Sequence, residues 1–352
     1  MTNQATAPSG GVQENRKEFY QRAATVAVAP LWEVLHGLVT AAPESPYVPA
    51  HWSYARVRPY LLEACGLIST EESQRRVLIL ENPAMPGRSR VLRSLFAGFQ
   101  IILPGEIAPA HRHVASALRF VIEGKNAYTA VSGERTTMSP GDFIITPSWQ
   151  WHDHGNESDG PVVWLDGLDM HIVNMFDASF MENFPDRTHD VVRPEGSAWA
   201  EAGSNLLPMD YQRKSHSSPI FNYPYRVARE SLHRMTLHRD PDACHGYKMQ
   251  YINPLTGGSA MSTFTTTIQL LPRGFRTTTF RSTAATVFTI VEGSGSISIG
   301  SKRFDWVAKD VIAIPSWQPF EFTADSEAVI FSFSDRVVQE CLGIYREQHG
   351  KG

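Results

Sequence analysis

The sequence is poor in the features that mark several large functional classes. It has three cysteines in 352 residues: Cys65, Cys244 and Cys341. They stand too far apart for a structural zinc site and are too few for a disulfide framework, which suits a reducing compartment. No apolar run comes near the roughly 20 residues that a membrane-spanning helix needs. The opening stretch, MTNQATAPSGGVQEN, is polar and has no signal-peptide core. A cytoplasmic protein is the expectation. Neither sign of charge dominates: 32 Lys and Arg stand against 36 Asp and Glu, for a net charge of -4. That balance gives nucleic acid or an anionic membrane nothing to be attracted by. Gly-Lys-Ser/Thr phosphate loops and the GxSxG nucleophile motif are absent as well.

What is present is β punctuation, and it occurs twice. Residues 1–85 are expected to be partly helical and to pack on the rest. NRKEFYQRAATVAVAPLWEVLHGLV has apolar residues at mixed three- and four-residue steps, broken by Pro30, and a strand is predicted at 76–80. Over 86–180 the runs SLFAGFQIIL, ALRFVIEG, AYTAVSG, DFIITP and VVWLDGL alternate with Gly, Pro, Ser and Asp, as in a barrel or sandwich. Residues 181–255 read as a linker, with some helical potential in DACHGYKMQYI. The strand pattern returns over 256–335, and 336–352 has helical spacing. GDFIITPSWQWHDH (141–154) aligns with KDVIAIPSWQPFEF (309–322), and FVIEG ending at Gly124 aligns with TIVEG ending at Gly293. An internal duplication of one β unit decides the architecture. The fold class is mainly β: two barrels, a helical N-terminal segment and a C-terminal helix.

The chemistry sits in PGEIAPAHRHVASALRFVIEG (104–124). On a strand, residues two apart share a face, so His111 and His113 present both imidazoles to one side and Arg112 to the other. Gly141, Pro147, His152 and Asn156 form a second spaced set. Together these resemble the two motifs of the cupin superfamily, which implies jelly-roll barrels with a metal in the mouth of one. The implied ligands are His111, His113 and His152. Many cupins carry a Glu where this chain has Ala117, so no carboxylate joins them. Three neutral imidazoles suit zinc with one water or six-coordinate Fe(II) with three open positions, and ligand type alone does not choose. In the second copy Phe280, Ser282 and Phe320 stand at the three histidine positions. That barrel is expected to be metal-free and structural.

HRHVASALRFVIEG, TPSWQWHDHGN, WLDGLD and APLWEVL resemble the gentisate 1,2-dioxygenase family, bicupins that include salicylate and 1-hydroxy-2-naphthoate dioxygenases. The resemblance runs from Trp32 to the last strand. It implies one Fe(II) per subunit in the N-terminal cupin, a small aromatic acid and O2 as reactants, and a homo-oligomer, a tetramer. It implies cleavage of gentisate between C1 and C2 to maleylpyruvate, with salicylate or 1-hydroxy-2-naphthoate as alternative substrates and a non-catalytic binding or storage cupin as the other class. Arg119 would receive the substrate carboxylate, with Arg75 favoured over Arg76 as its helper. His154 shares the face of His152 and would contact the substrate. Asp166, inward by parity with Val162 and Trp164, would orient a histidine or help deprotonate a hydroxyl. Gln100, Phe96 and Gly98 share a strand face and would shape the ring slot. Trp149 and Trp151 are read as packing.

Overall fold

The computed structural model describes residues 10–350. The chain divides into two compact units, Met1–Glu44 and Ser45–Gly352. The first carries the helices Gly10–Thr25 and Leu31–Leu38, joined where Pro30 forbids continuation. Within it the Trp32 indole donates to the Tyr20 hydroxyl at 2.9 Å. Leu31, Trp32, Leu35 and Leu38 of the second helix are exposed.

The second unit holds two barrels, each made of a six-stranded and a five-stranded sheet. In the first barrel the strands Ile107–His113 and His152–Asn156 lie side by side in the five-stranded sheet. Phe96–Ile102, Val162–Leu168 and Ala117–Glu123 pair in that order in the sheet facing it. Nearly every residue of these three strands is buried, because one face lines the barrel and the other meets the second barrel. There Phe120 stacks on Phe331 at 4.2 Å between centroids, and Phe143 lies 5.4 Å from the same ring. Full burial of each such ring contributes roughly 1.5–3 kcal/mol.

The duplication is visible pair by pair. His111 lies opposite His152 in the first barrel, and Phe280 lies opposite Phe320 in the second. Trp149 and Trp317 of the two Pro-Ser-Trp-Gln turns both take positive φ, 61° and 64°. Each donates its backbone N–H to the matching strand, to His113 O at 2.9 Å and to Ser282 O at 2.7 Å. Gly124 and Gly293 have φ of 84° and 88°, and an added Cβ would lie 2.5 Å from Pro161 O and 2.4 Å from Glu327 O. Only glycine fits such a turn.

Each repeat also lends a strand to the other. Ala50–Trp52 pairs with Val311–Ile314 of the second barrel, and Asn222–Tyr223 pairs with Phe143–Thr146 of the first. The chain then returns through the helices Tyr54–Leu67 and Tyr225–Thr236 to its own barrel, through Val77–Ile79 and Tyr247–Gln250. The crossings are fastened alike. Tyr54 N–H donates to Asp310 and Tyr225 N–H to Asp142, both at 2.9 Å. The two tyrosine hydroxyls donate to Glu123 and Glu292.

Two expectations are corrected. The helical potential of DACHGYKMQYI is overridden, because Tyr247–Gln250 satisfies its backbone groups against Thr267–Leu270. The helix expected after residue 335 spans only Arg336–Cys341. Glu347–His349 follows as a strand on Phe280–Ser282, matching Met181–Asn183 on the histidine strand.

Candidate metal centre

Register and a bulge bring the histidines together. The pairing of Ile107–His113 with His152–Asn156 slips between Ala108 and His111, a bulge that re-aims the following side chains. His111 then faces His152 directly, and His113, two residues on, shares its side. The His111 and His152 Nε2 atoms are 3.0 Å apart. Ligand atoms of His111, His113 and His152 all lie within 4.8 Å of one another.

The tautomers are fixed from behind. His113 Nδ1 lies 2.6 Å from Ala115 O and His152 Nδ1 lies 3.0 Å from Gln150 O. A carbonyl only accepts, so each Nδ1 carries the proton and each Nε2 keeps its lone pair for the centre. Two nitrogens about 2.1 Å from one cation at a right angle stand about 3.0 Å apart, so the His111–His152 spacing fits a shared metal ion. Burial, helped by the charges of Arg75, His113 and Arg119, lowers His111 to about 2. Burial, then Arg119 and Arg75, lowers His113 to about 4 against its bond to Ala115 O. His152 is pushed well below its ordinary value, first by burial and then by the same neighbouring charges. All three are neutral at physiological pH, as ligands must be.

Around them lies a polar interior. Arg119 is 3% exposed. Its Nη1 donates to Thr146 Oγ1 at 2.5 Å, while its Nε has no hydrogen-bond partner among the described residues. Asp166 lies opposite it in register, with Oδ1 3.7 Å from Arg119 Nε, and accepts the Trp164 indole N–H at 3.0 Å. Burial raises Asp166 to about 6 against the pull of Arg119. Asp166 therefore faces an arginine, where an orienting contact to a histidine was one of the two roles expected of it. His154 Nδ1 meets Thr129 Oγ1 at 2.9 Å, and its Nε2 is buried without a partner among the described residues.

Arg75 and Arg76, just before the strand Val77–Ile79, turn to different partners. Arg75 Nη2 donates to Pro109 O at 2.9 Å and lies 3.1 Å from His111 Nε2. Arg76 turns away into a two-pronged pair with Glu106 at 2.9 and 2.8 Å. Burial, then repulsion from Arg119, lowers Arg75 to about 9. Gln100 is buried opposite Trp164 and Val77. Phe96 lies 6.5 Å from the His171 ring. A Cβ on Gly98 would stand 2.6 Å from Val77 Cγ1, so the missing side chain makes room for Val77.

Trp149 and Trp151 each lie 4.5 Å from the Arg112 guanidinium on the outer face, which fits the packing role expected of them. Sequence reading missed Thr146, Val77 and the buried Asp153–His189 pair, in which His189 Nδ1 donates to Asp153 at 2.5 Å. None has a local pattern: each is identified only by its partner in space.

Residues 98–168 match the family model for a cupin domain. Gentisate 1,2 dioxygenase 1 of Aquipseudomonas alcaligenes is 54% identical over 336 residues, spanning 96% of this chain and 97% of that one. A 1-hydroxy-2-naphthoate 1,2-dioxygenase of Nocardioides sp. (strain KP7) is 33% identical over 97% of this chain and 90% of its own. The crystal structure of salicylate 1,2-dioxygenase from Pseudoaminobacter salicylatoxidans with gentisate superposes with a TM-score of 0.92. It is 30% identical, over 100% of this chain and 98% of that one. Identity sustained over both barrels, with the histidine geometry above, places this chain in the gentisate 1,2-dioxygenase family of bicupin ring-cleaving dioxygenases.

Proposed function

We propose that the chain opens the ring of gentisate (2,5-dihydroxybenzoate) between C1 and C2, adding both atoms of O2 to give maleylpyruvate. One Fe(II) per chain would be held by His111, His113 and His152 of the first barrel. The observation that carries this reading is the convergence of three neutral imidazoles beside two inward guanidinium groups in a single barrel. The 54% identical relative named for gentisate supports the choice of substrate. When bound, the ferrous ion supplies open positions at which an ortho-hydroxy acid and dioxygen meet and electron density passes from ring to oxygen.

The chain's own residues bind and orient. Arg119 offers its Nε, which makes no hydrogen bond, to the substrate carboxylate, with its plane set by Thr146 and Asp166. Arg75 is close enough to share that anion once its guanidinium leaves His111 Nε2. His154 presents its free Nε2 to the 5-hydroxyl and can take up or return its proton. Gln100, Phe96 and Gly98, with Val77, bound the slot for the ring.

The test is anaerobic loading with Fe(II), then gentisate, salicylate and 1-hydroxy-2-naphthoate in turn with oxygen, followed by ultraviolet absorbance of ring-opened product. Turnover of gentisate is expected. Product from salicylate or the naphthoate but not from gentisate would reassign the substrate. No turnover by iron-loaded protein with any of the three would make it a binding cupin. We also propose a cytoplasmic homotetramer. All three cysteines are free, and the exposed apolar side chains of Leu31–Leu38 form a patch of the kind partners cover. Light scattering on purified protein checks the tetramer.

A further inference from the structure

The second barrel is not filled. It contains a cavity of about 560 Å³, within the range of small-molecule sites. Phe280, Phe288 and Phe320 line it. In register these replace His111, Arg119 and His152, and Ser332 replaces Asp166. The Phe320 centroid lies 5.7 Å from those of both Phe280 and Phe288, which makes a continuous aromatic wall. The lining also carries the hydroxyls of Thr267 and Ser332, hydrogen-bonded to each other at 2.7 Å.

Lys248 faces this cavity. It pairs with Gln269 as Val77 pairs with Gln100, so a lysine stands where the first barrel has a valine. Its ammonium has neither a hydrogen-bond acceptor nor an ion-pair partner among the described residues. Burial and the nearby Arg336 lower Lys248 to about 8, opposed by Asp242 and Glu347. The other charges on the lining are hydrogen-bonded elsewhere or exposed. Arg336 donates to Glu340 at 2.7 Å, Asp242 accepts the Cys244 N–H at 2.8 Å, and Arg239 and Asp240 are both exposed to solvent. His245, its ring 4.6 Å from that of Phe280, is lowered to about 2 by burial and then by Lys248, and is neutral. A half-buried ammonium that makes no hydrogen bond or ion pair among the described residues, set beside three phenyl rings, suits an anionic aromatic ligand.

We propose that the second barrel is a binding site for a compact aromatic monocarboxylate, with its carboxylate on Lys248 and its ring against Phe280 and Phe320. The Lys248 ammonium offers a cation to one carboxylate, and the phenyl rings beside it select an aromatic acid over inorganic phosphate. Among the described residues the second barrel has no cluster of metal ligands, and its proposed role is binding. The proposal does not draw on the chemistry of the first barrel.

The probe is 4-fluorobenzoate, followed by ¹⁹F NMR on full-length, iron-loaded protein under anaerobic conditions. Lys248→Met keeps the stem and removes the charge, Lys248→Gln is the second variant should Met impair folding, and Arg119→Met reports on the first barrel. The expected result is a bound population that weakens about tenfold or more in the Lys248 variant and persists in Arg119→Met. Gentisate turnover by the Lys248 variant is expected to match wild type. Binding lost only in Arg119→Met, lost in both variants, unchanged in both, or undetectable in wild type at millimolar probe overturns the proposal.

Discussion

His111 and His152 hold their Nε2 atoms 3.0 Å apart because they are direct cross-strand neighbours, and the same pairing in the second barrel sets Phe280 against Phe320. One backbone thus supports either a cation between imidazoles or an edge-to-face aromatic pair with centroids 5.7 Å apart. The local chain path is indifferent to which. The side chains alone decide whether the barrel holds metal.

The first prediction exploits that indifference. His152→Phe places in the first barrel the residue that its repeat already tolerates. The variant is expected to fold, with far-ultraviolet circular dichroism unchanged, and to lose bound iron and ring cleavage together. Activity should fall on the order of a thousandfold or more, because two imidazoles do not complete the ligand set. Iron content by atomic absorption and turnover measured on one preparation check it. Iron retained at one per chain would remove His152 from the ligand set.

Much of this was legible because strand periodicity is strict. Residues two apart share a face, so the spacing His111–His113 and His152–His154 already places four imidazoles inward. The alignment of the two Pro-Ser-Trp-Gln turns revealed the duplication, and with it the loss of ligands at Phe280 and Phe320. What was not legible depends on distant partners. Ala50–Trp52 and Asn222–Tyr223 are too short to show a period, and nothing local indicates that each joins the other repeat's barrel. Thr146 matters only because Arg119 reaches it from another strand. Lys248 reads as a surface lysine until its strand is placed at the edge of a cavity.

The second prediction concerns Arg119. Its guanidinium has several donors in one plane. One is engaged by Thr146 Oγ1 at 2.5 Å, and its Nε, 3.7 Å from Asp166 Oδ1, makes no hydrogen bond. Lysine has a single nitrogen and reaches only one partner in that geometry. Arg119→Lys is expected to lower kcat/KM for gentisate by about 10- to 100-fold, mostly through KM, while iron content stays at wild-type level. Steady-state kinetics with a parallel iron assay check it. An unchanged KM would show that the substrate carboxylate binds elsewhere.

The third prediction turns on a symmetric pair of buried aspartates at the ends of the central strands. Asp169 accepts the Ser116 N–H at 2.7 Å and reaches across the duplication to the Thr263 hydroxyl at 2.6 Å. Asp335 accepts the Ala285 N–H at 3.0 Å and reaches back to the Ser94 hydroxyl at 2.5 Å. Burial raises Asp169 from 3.8 to about 6, only partly offset by the bonds from Thr263 and Ser116. A folded-state carboxyl with a raised pKa holds its proton longer than the unfolded one does. Between pH 4 and 6 the folded state therefore binds more protons, and this group's contribution to stability falls as pH rises through that window. Its full effect is at most about 3 kcal/mol, the value of roughly two pKa units. Asp169→Asn keeps an acceptor for Ser116 and a polar partner for Thr263 but has no proton to lose. Its unfolding temperature relative to wild type should therefore climb from pH 4 to pH 7, with both proteins in the same metal-bound state. Asp335 is also raised by burial, so Asp335→Asn should show the same sign. Parallel melting curves for Asp169→Asn and wild type across that range would mean that the Asp169 carboxyl is already ionised in the folded protein at pH 4.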